Sequence, residues 1–403
     1  MSSEEGKVLT PQRIPLSEPF FEGNEWNYLK ECLDTNWVSS EGPFVERFER
    51  MVAKFLGIPH AVATCNGTTA LHTSLQIAGI QPGEEVVMPA LTFIAPASAV
   101  RYLGAYPVFI DVEPDYWQID PQKVVDFLTK GCLWREGGLY NRETGRRIKA
   151  ILPVHMLGHP VDMDPILEIA RRYRLVMVED AAEGLGSKYK GHFVGTEGDI
   201  ACLSFNGNKI ITCGGGGMIV TNNEAWARRA RYLTTQAKDD PVEYVHKEIG
   251  YNYRLTNLQA AVGVAQMERL DHYIERKRII ARRYQEALKD EGLSVFREAP
   301  WARSIYWLNA VVIEERLFGL NRYQLMDHLR QKGIGTRPLW HPLHRLVPFS
   351  DCDSFHVEVA DRLYRSVLTL PSSIGLSEED QTFVIRATLE AKKGAPVTEK
   401  TIP

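Results

Sequence analysis

Residues 61–79 read AVATCNGTTALHTSLQIAG, and their order sets the expectation for the rest of the chain. The short apolar run Ala61–Thr64 has the length and composition of a buried strand. Gly67 then allows a tight turn, and Thr68 and Thr69 are hydroxyl residues of the kind that open helices. Beyond Thr68, residues Ala70, Leu71, Ser74, Leu75 and Ala78 recur at helical spacing on one face, and Gly79 supplies a stop. Strand, tight turn and amphipathic helix in that order form the unit of a mainly parallel sheet covered by helices.

The same alternation continues outward. Further strands are expected at Glu85–Met88, Pro107–Asp111, Ala150–Val154, Leu175–Val178, Ile200–Ser204 and Met218–Thr221, which makes a seven-stranded α/β arrangement. Pro96, just after Thr92-Phe93, suits the first turn of a helix. A long amphipathic stretch runs from Asn257 to about Lys289. After it the pattern changes to strands mixed with helices, with a strand at Trp307–Ile313 and helices at Tyr323–Lys332 and Glu378–Ala391. We therefore expect a large domain over 14–270, a smaller α+β domain over 271–391, and a loose tail over 392–403. The polar segment Lys130–Arg147 reads as an irregular insertion between a helix and a strand.

Composition excludes several classes. A chain of 403 residues with 44% hydrophobic residues buries a large core. With 24% charged residues and a formal net charge of -4, it lacks the basic excess of a nucleic-acid binder. Arg171-Arg172-Tyr173-Arg174 and Lys277-Arg278 read as the wet faces of helices. The cysteines, Cys32, Cys65, Cys132, Cys202, Cys213 and Cys352, contain no CxxC pair, so they read as reduced, separately packed thiols. Met1–Glu5 lacks the basic and apolar regions of a signal peptide, and no apolar run is long enough to span a bilayer. The expectation is a cytoplasmic protein without membrane association.

Four segments carry chemistry. In Thr64–Leu71 the free amides at a helix start make an anion site, to which Thr68 and Thr69 add hydroxyls; an ordinary capped helix start reads the same way. No Gly-Lys-Ser/Thr follows the glycine, so this is not a Walker loop. Val178–Glu183 places acids at the carboxyl end of a strand, where ligands of open parallel sheets bind. There Asp180 suits a protonated ring nitrogen, a metal or a helix cap. In Ser204-Phe205-Asn206-Gly207-Asn208-Lys209 a lysine stands in a turn between two apolar strands, as a Schiff-base lysine requires and a surface charge also permits. The following Gly214–Gly217 run lacks GxGxxG spacing and leads into a strand, which argues against a dinucleotide loop. Lastly, Gly250–Ala261 crowds Asn, Tyr and Arg before a helix that Thr256 or Asn257 caps, as a contact surface or as a plain surface loop. His341 and His344 stand three apart with no third ligand evident, so no metal is expected.

In this order the segments resemble the DegT/DnrJ/EryC1/StrS family of sugar aminotransferases, from about Ile14 to about Ala391. The resemblance rests on Trp37–Pro43, Asn66–Thr69, Pro153-Val154-His155, Glu179–Ala182, Gly198-Asp199-Ile200, Ser204 with Lys209, and Gly250–Arg254. It implies a fold-type I pyridoxal-phosphate enzyme working as a homodimer. Lys209 is then the cofactor-bearing lysine, Asp180 the partner of the ring nitrogen, and Phe93 the stacking aromatic. Gly67, Thr68 and Ser204 become phosphate contacts, Asn252 serves the neighbouring subunit's phosphate, and Glu183 stands where much of the family has glutamine. Trp37, Arg254, Arg337, Trp340 and His341 are candidate sugar contacts. The 130–147 insertion and Thr336–Trp340 look most like the branch that aminates C4 of UDP-linked 4-keto-6-deoxy-N-acetylhexosamines with glutamate as donor. The alternatives are a GDP-linked 4-keto-6-deoxymannose, a nucleotide-free keto-sugar acid, or a regulatory homologue without turnover.

Overall fold

The computed structural model describes residues 13–240, 242–289 and 292–393. Seven strands build the central sheet: β1 His60–Thr64, β2 Glu85–Pro89, β3 Tyr106–Ile110, β4 Arg147–Ile151, β5 Val176–Asp180, β6 Ile200–Ser204 and β7 Gly217–Thr221. Their order is β1-β7-β6-β5-β4-β2-β3. Neighbours are parallel from β6 through β3, and β7 alone runs against both of its neighbours. All seven expected runs fall on these strands. The largest displacement is at β4, which begins at Arg147 rather than Ala150.

That displacement and the expected irregular insertion have one explanation. Residues 132–141 are not irregular: Cys132–Arg135 and Gly138–Asn141 form a β-hairpin that continues onto β4 through Leu139↔Ile148 and Tyr140↔Arg147. Its two-residue turn puts Glu136 (φ 50°) and Gly137 (φ 72°) in the left-handed region. Such turns are usually announced by Asn-Gly or Asp-Gly, so Glu136-Gly137 hides the hairpin. The segment's polarity has a local purpose. Glu85 is buried, and it accepts hydrogen bonds from Asn141 Nδ2 (3.0 Å) and Thr144 Oγ1 (2.8 Å) beside Arg146 (3.6 Å).

Helices α2 Pro43–Leu56 and α3 Gly67–Ile77 pack on the sheet, and α1 Glu25–Asp34 packs on the helix that starts at Asn257. The long amphipathic stretch is two helices, α4 Asn257–Met267 and α5 Leu270–Ala287. Thr256 caps α4 in a reciprocal box with Gln259. Asn257 is buried and turns back instead, donating to Trp37 O (2.8 Å) and accepting from Phe44 N (3.0 Å), which ties α4 to the start of α2. A smaller antiparallel sheet follows, with β8 Leu293–Val295, β9 Asn309–Ile313, β10 Arg337–Pro338 and β11 Val367–Leu370 in the order β8-β9-β11-β10. It packs against α5, α6 (Arg322–Gln331) and α7 (Glu378–Lys393) through Ile280, Tyr284, Leu325, Leu329 and Val384. Ile14 joins this cluster, while Ser354–Phe355 returns to extend the central sheet beside β3. Of the expected tail, Lys392 and Lys393 end α7, and 394–403 lie outside the described residues.

One charge expectation fails. Lys277 is not on a wet face: it is 2% exposed, and burial pushes its pKa down to about 7. A single lysine on a helix carries no mark of the side it will face until the neighbouring elements are placed. Among the described residues no helix is long and apolar enough to cross a membrane, and all six cysteines are free.

Asp111, directly after β3, anchors the return of the chain. It is fully buried, accepting from Lys123 Nζ (2.7 Å) and from the amides of Glu358, Val359 and Ala360 at the start of helix Val359–Ser366. Burial alone would raise its pKa, but the Lys123 and amide hydrogen bonds outweigh it, and the pKa is lowered. A carboxylate with a depressed folded pKa stabilises fully above its unfolded value and loses that contribution as pH falls through the folded value. Asp111→Asn should therefore cost about 2 kcal/mol at neutral pH, and the difference from the parent should shrink in acid. Urea unfolding at pH 7 and in acid checks both; equal midpoints at pH 7 would remove Asp111 from this role.

Candidate active site

The carboxyl ends of β1, β5 and β6 open on one edge of the sheet, where crevices of parallel sheets form. A cavity of about 1100 Å³ lies there, closed from the other side by residues around β10 and by 13–17 of the N-terminal segment.

The start of α3 forms one wall. Asn66 Oδ1 accepts from Thr69 N (2.8 Å), while Thr69 Oγ1 takes the Asn66 amide, so the cap is self-contained. The first-turn amides of Gly67 and Thr68 have no acceptor within the helix. Both residues line the cavity, as does Ser204 at the end of β6. A Cβ on Gly67 would stand 2.9 Å from Ser204 Cβ, so this close approach requires glycine.

The two adjacent acids at the end of β5 separate because successive strand residues face opposite sides. Glu179 accepts from the amides of Gly195 (2.9 Å), Glu197 (3.0 Å) and Gly198, and from His155 Nε2 (2.9 Å). Val161 N donates to His155 Nδ1 (3.1 Å), so Nε2 carries the ring proton toward Glu179. Burial would raise the pKa of Glu179, yet these bonds hold it lowered. Asp180 faces the cavity and is 4% exposed. Its carboxylate accepts from Ala182 N (3.0 Å), and among the described residues no side chain donates to it. Burial chiefly raises its pKa, opposed by that amide bond and by the charge on Lys209. Such an acid either takes up a proton or pairs with a cationic donor that enters the cavity.

Lys209 closes a turn, its amide donating to Asn206 O (3.0 Å). Its Nζ lies 3.4 Å from Glu183 Oε1 and 4.1 Å from the centre of the Trp307 ring. Glu183 Oε2 accepts from Leu157 N (2.8 Å), and burial raises the pKa of Glu183. Phe93, Arg337 and Trp340 also line the cavity, with Trp340 stacked on Trp307 at 6.4 Å.

The structure does not bring four candidates to this chain's cavity. Trp37 is half exposed, and Arg254 pairs with Glu41 (3.2 Å). Asn252 is exposed and bridges to Thr235. His341 turns onto the Tyr364 ring at 4.8 Å, with Nδ1 3.2 Å from Pro342 O. None of residues 130–147 lines the cavity either. Conversely, Trp307, Arg13 and Arg330 do line it, although nothing in their sequence surroundings marked them. Trp307 heads an apolar run and reads there as a strand residue. Among the described residues no group of three or more His, Cys, Asp or Glu is placed to hold a metal.

The groups present fit pyridoxal phosphate: an amine for its aldehyde, a buried unpaired acid for its ring nitrogen, and free amides with a hydroxyl for its phosphate. The pattern of the DegT/DnrJ/EryC1/StrS aminotransferase family matches residues 20–389. The chain is 41% identical to a GDP-perosamine synthase of Caulobacter vibrioides over 93% of this chain and 97% of the relative. It is 37% identical to a GDP-perosamine synthase of Escherichia coli O157:H7, over 94% and 98%. The crystal structure of a DegT DnrJ EryC1 StrS aminotransferase from Brucella abortus superposes with a TM-score of 0.82 at 30% identity, covering 91% of this chain and 94% of that one. A cavity with this donor set, on a chain matched almost end to end, belongs to a pyridoxal-phosphate-dependent enzyme of the DegT/DnrJ/EryC1/StrS aminotransferase family.

Proposed function

We propose that this enzyme moves an amino group from glutamate to C4 of a GDP-linked 4-keto-6-deoxymannose. The observation that carries the choice of acceptor is the likeness, over nearly the whole chain, to relatives named GDP-perosamine synthase. The UDP-linked N-acetylhexosamine reading rested on two segments. One of them, 130–147, folds as a hairpin on the start of β4 and lines none of the cavity, so it offers the sugar no contact within this chain. Six free cysteines fit a reducing compartment, and we place the enzyme in the cytoplasm.

Bound pyridoxal phosphate supplies an aldehyde for a lysine amine and a ring that takes up the electron pair of a carbon losing its proton. Lys209 Nζ provides that amine and, once displaced by the donor, carries the proton from the donor carbon. Glu183, 3.4 Å away, keeps Nζ within the cavity. Asp180 holds the proton on the ring nitrogen, a role its buried and otherwise unpaired carboxylate suits. Gly67, Thr68 and Ser204 bind the phosphate, and Phe93 offers the ring an apolar face. Arg337 gives the sugar nucleotide's diphosphate a cationic partner, and Trp340 packs against a ring. Asn252, lying off this chain's cavity, reaches the phosphate of a second copy in a homodimer.

Three experiments test this reading. Asp180→Asn should keep the fold and slow the glutamate half-reaction at least ~100-fold, because an amide cannot hold the ring nitrogen protonated. Near-parental rates in stopped flow would refute the role. Mixing Lys209→Ala with Asn252→Ala, each inactive alone, should restore about a quarter of parental activity, since half of the dimers then carry one lesion-free site. No recovery in demonstrably mixed dimers would place both residues in one subunit's site. Competing half-reactions on GDP-, UDP- and dTDP-linked 4-keto-sugars and a nucleotide-free keto-sugar acid should favour the GDP sugar. Preference for the UDP-linked N-acetylhexosamine would return the chain to that branch and leave Lys209 and Asp180 untouched.

A further inference from the structure

The Lys209 amine rests on a surface that the catalytic assignment does not use. Its Nζ stands 4.1 Å from the centre of the Trp307 ring and 3.4 Å from the Glu183 carboxylate. Trp307 is 3% exposed and fastened at every polar atom. Its indole Nε1 donates to Asn208 O at 2.6 Å, the carbonyl of the peptide leading into Lys209. Ser17 Oγ donates to the same carbonyl at 3.3 Å. The Trp307 amide donates to Leu157 O at 3.0 Å, and Leu157 N in turn donates to Glu183. The Trp307 carbonyl accepts from Lys277 Nζ at 2.8 Å. Lys277 is buried in α5 without a carboxylate partner among the described residues, and its other bond is to Ser372 O, just past β11. Through its indole and its backbone, Trp307 thus joins the lysine turn, the segment that contacts Glu183 and, by way of Lys277, the end of β11.

We propose that Trp307 is a positioning residue for Lys209, seating its free Nζ on the indole face and fixing its backbone through Asn208, and that Lys277 holds Trp307 in that attitude. The inference rests on the reading of Lys209 as the cofactor-bearing amine. An ammonium over a tryptophan face is attracted by the ring quadrupole, most strongly where water is excluded. A long lysine side chain without such a seat samples many rotamers, and each presents the amine differently. The seat therefore acts when Nζ is free, holding it in place before it gives up a proton to link to the cofactor and again once it has taken up the donor carbon's proton.

The test follows Nζ itself. Full-length chain stripped of cofactor is mixed with pyridoxal 5′-phosphate, and the chromophore of the lysine-linked form is followed in stopped flow. Affinity for pyridoxamine 5′-phosphate, which makes no link to lysine, reads the integrity of the same cavity. Trp307→Leu should slow linking about tenfold with pyridoxamine phosphate affinity kept within about twofold. Trp307→Phe keeps an aromatic face and loses the indole donor, and Lys277→Met loses both carbonyl bonds; each should slow linking about threefold. If Trp307→Leu fails to fold, the other two variants decide the question. Parental linking rates, or rates that fall only in step with pyridoxamine phosphate affinity, would overturn the proposal. A linked chromophore in Lys209→Ala would instead overturn the assignment of Lys209, an outcome separate from both.

Discussion

A buried carboxylate to which no side chain donates, among the described residues, organises this site. Asp180 sits 4% exposed at the end of β5 with a single backbone donor to its side chain. Isolated, such a group costs several kcal/mol or takes up a proton. Its neighbourhood holds the position nonetheless. The amide of Asp180 donates to Pro153 O and its carbonyl accepts from His155 N, so the strand-end backbone is locked from the β4 side. His155 then turns its ring to Glu179, where three amides complete the neutralisation of that second acid. One acid is satisfied within the protein and the adjacent one is left open toward the cavity.

The lysine across the cavity is held by a different part of the chain. Asp180, Ser204 and the α3 turn all come from the central sheet, whose parallel register brings their strand ends together. Trp307, Arg337 and Trp340 come from the segments around the small sheet, so the cavity exists only when the two packed layers meet. Ser17 and Ser372 stitch the N-terminal segment across this junction: Ser17 donates to Asn208 O, and Ser372 N donates to Leu16 O. An error in docking the small sheet would displace the indole from Lys209 before it disturbed Asp180.

The seven apolar runs, the α3 turn and the order of Asp180, Ser204 and Lys209 were all legible in the sequence. These are local properties: strand length, helical period and cap chemistry are written in neighbouring residues. Two readings failed for want of partners. Glu136-Gly137 turns a hairpin without the usual residues, and its strands form because the start of β4, ahead of its pairing with β5, takes a partner at Arg147 and Ile148 and Glu85 offers a buried acid to satisfy. Lys277 looked wet because a helix shows its polar residues in sequence, whereas the carbonyls that take its protons come from Trp307 and Ser372, thirty and ninety-five residues away.

By itself, then, the sequence determined the α/β class, the family and the turns and strand ends that line the cavity, because each is set by residues within a few positions of it. Only the tertiary structure decided which side chains share a cavity. It brought Trp307 to Lys209 and kept Trp37, Asn252, Arg254 and His341 out of this chain's site. The physical reason is distance along the chain. A contact such as Trp307 Nε1 to Asn208 O spans ninety-nine residues, and it forms only after residues of the two sheets have joined one apolar cluster.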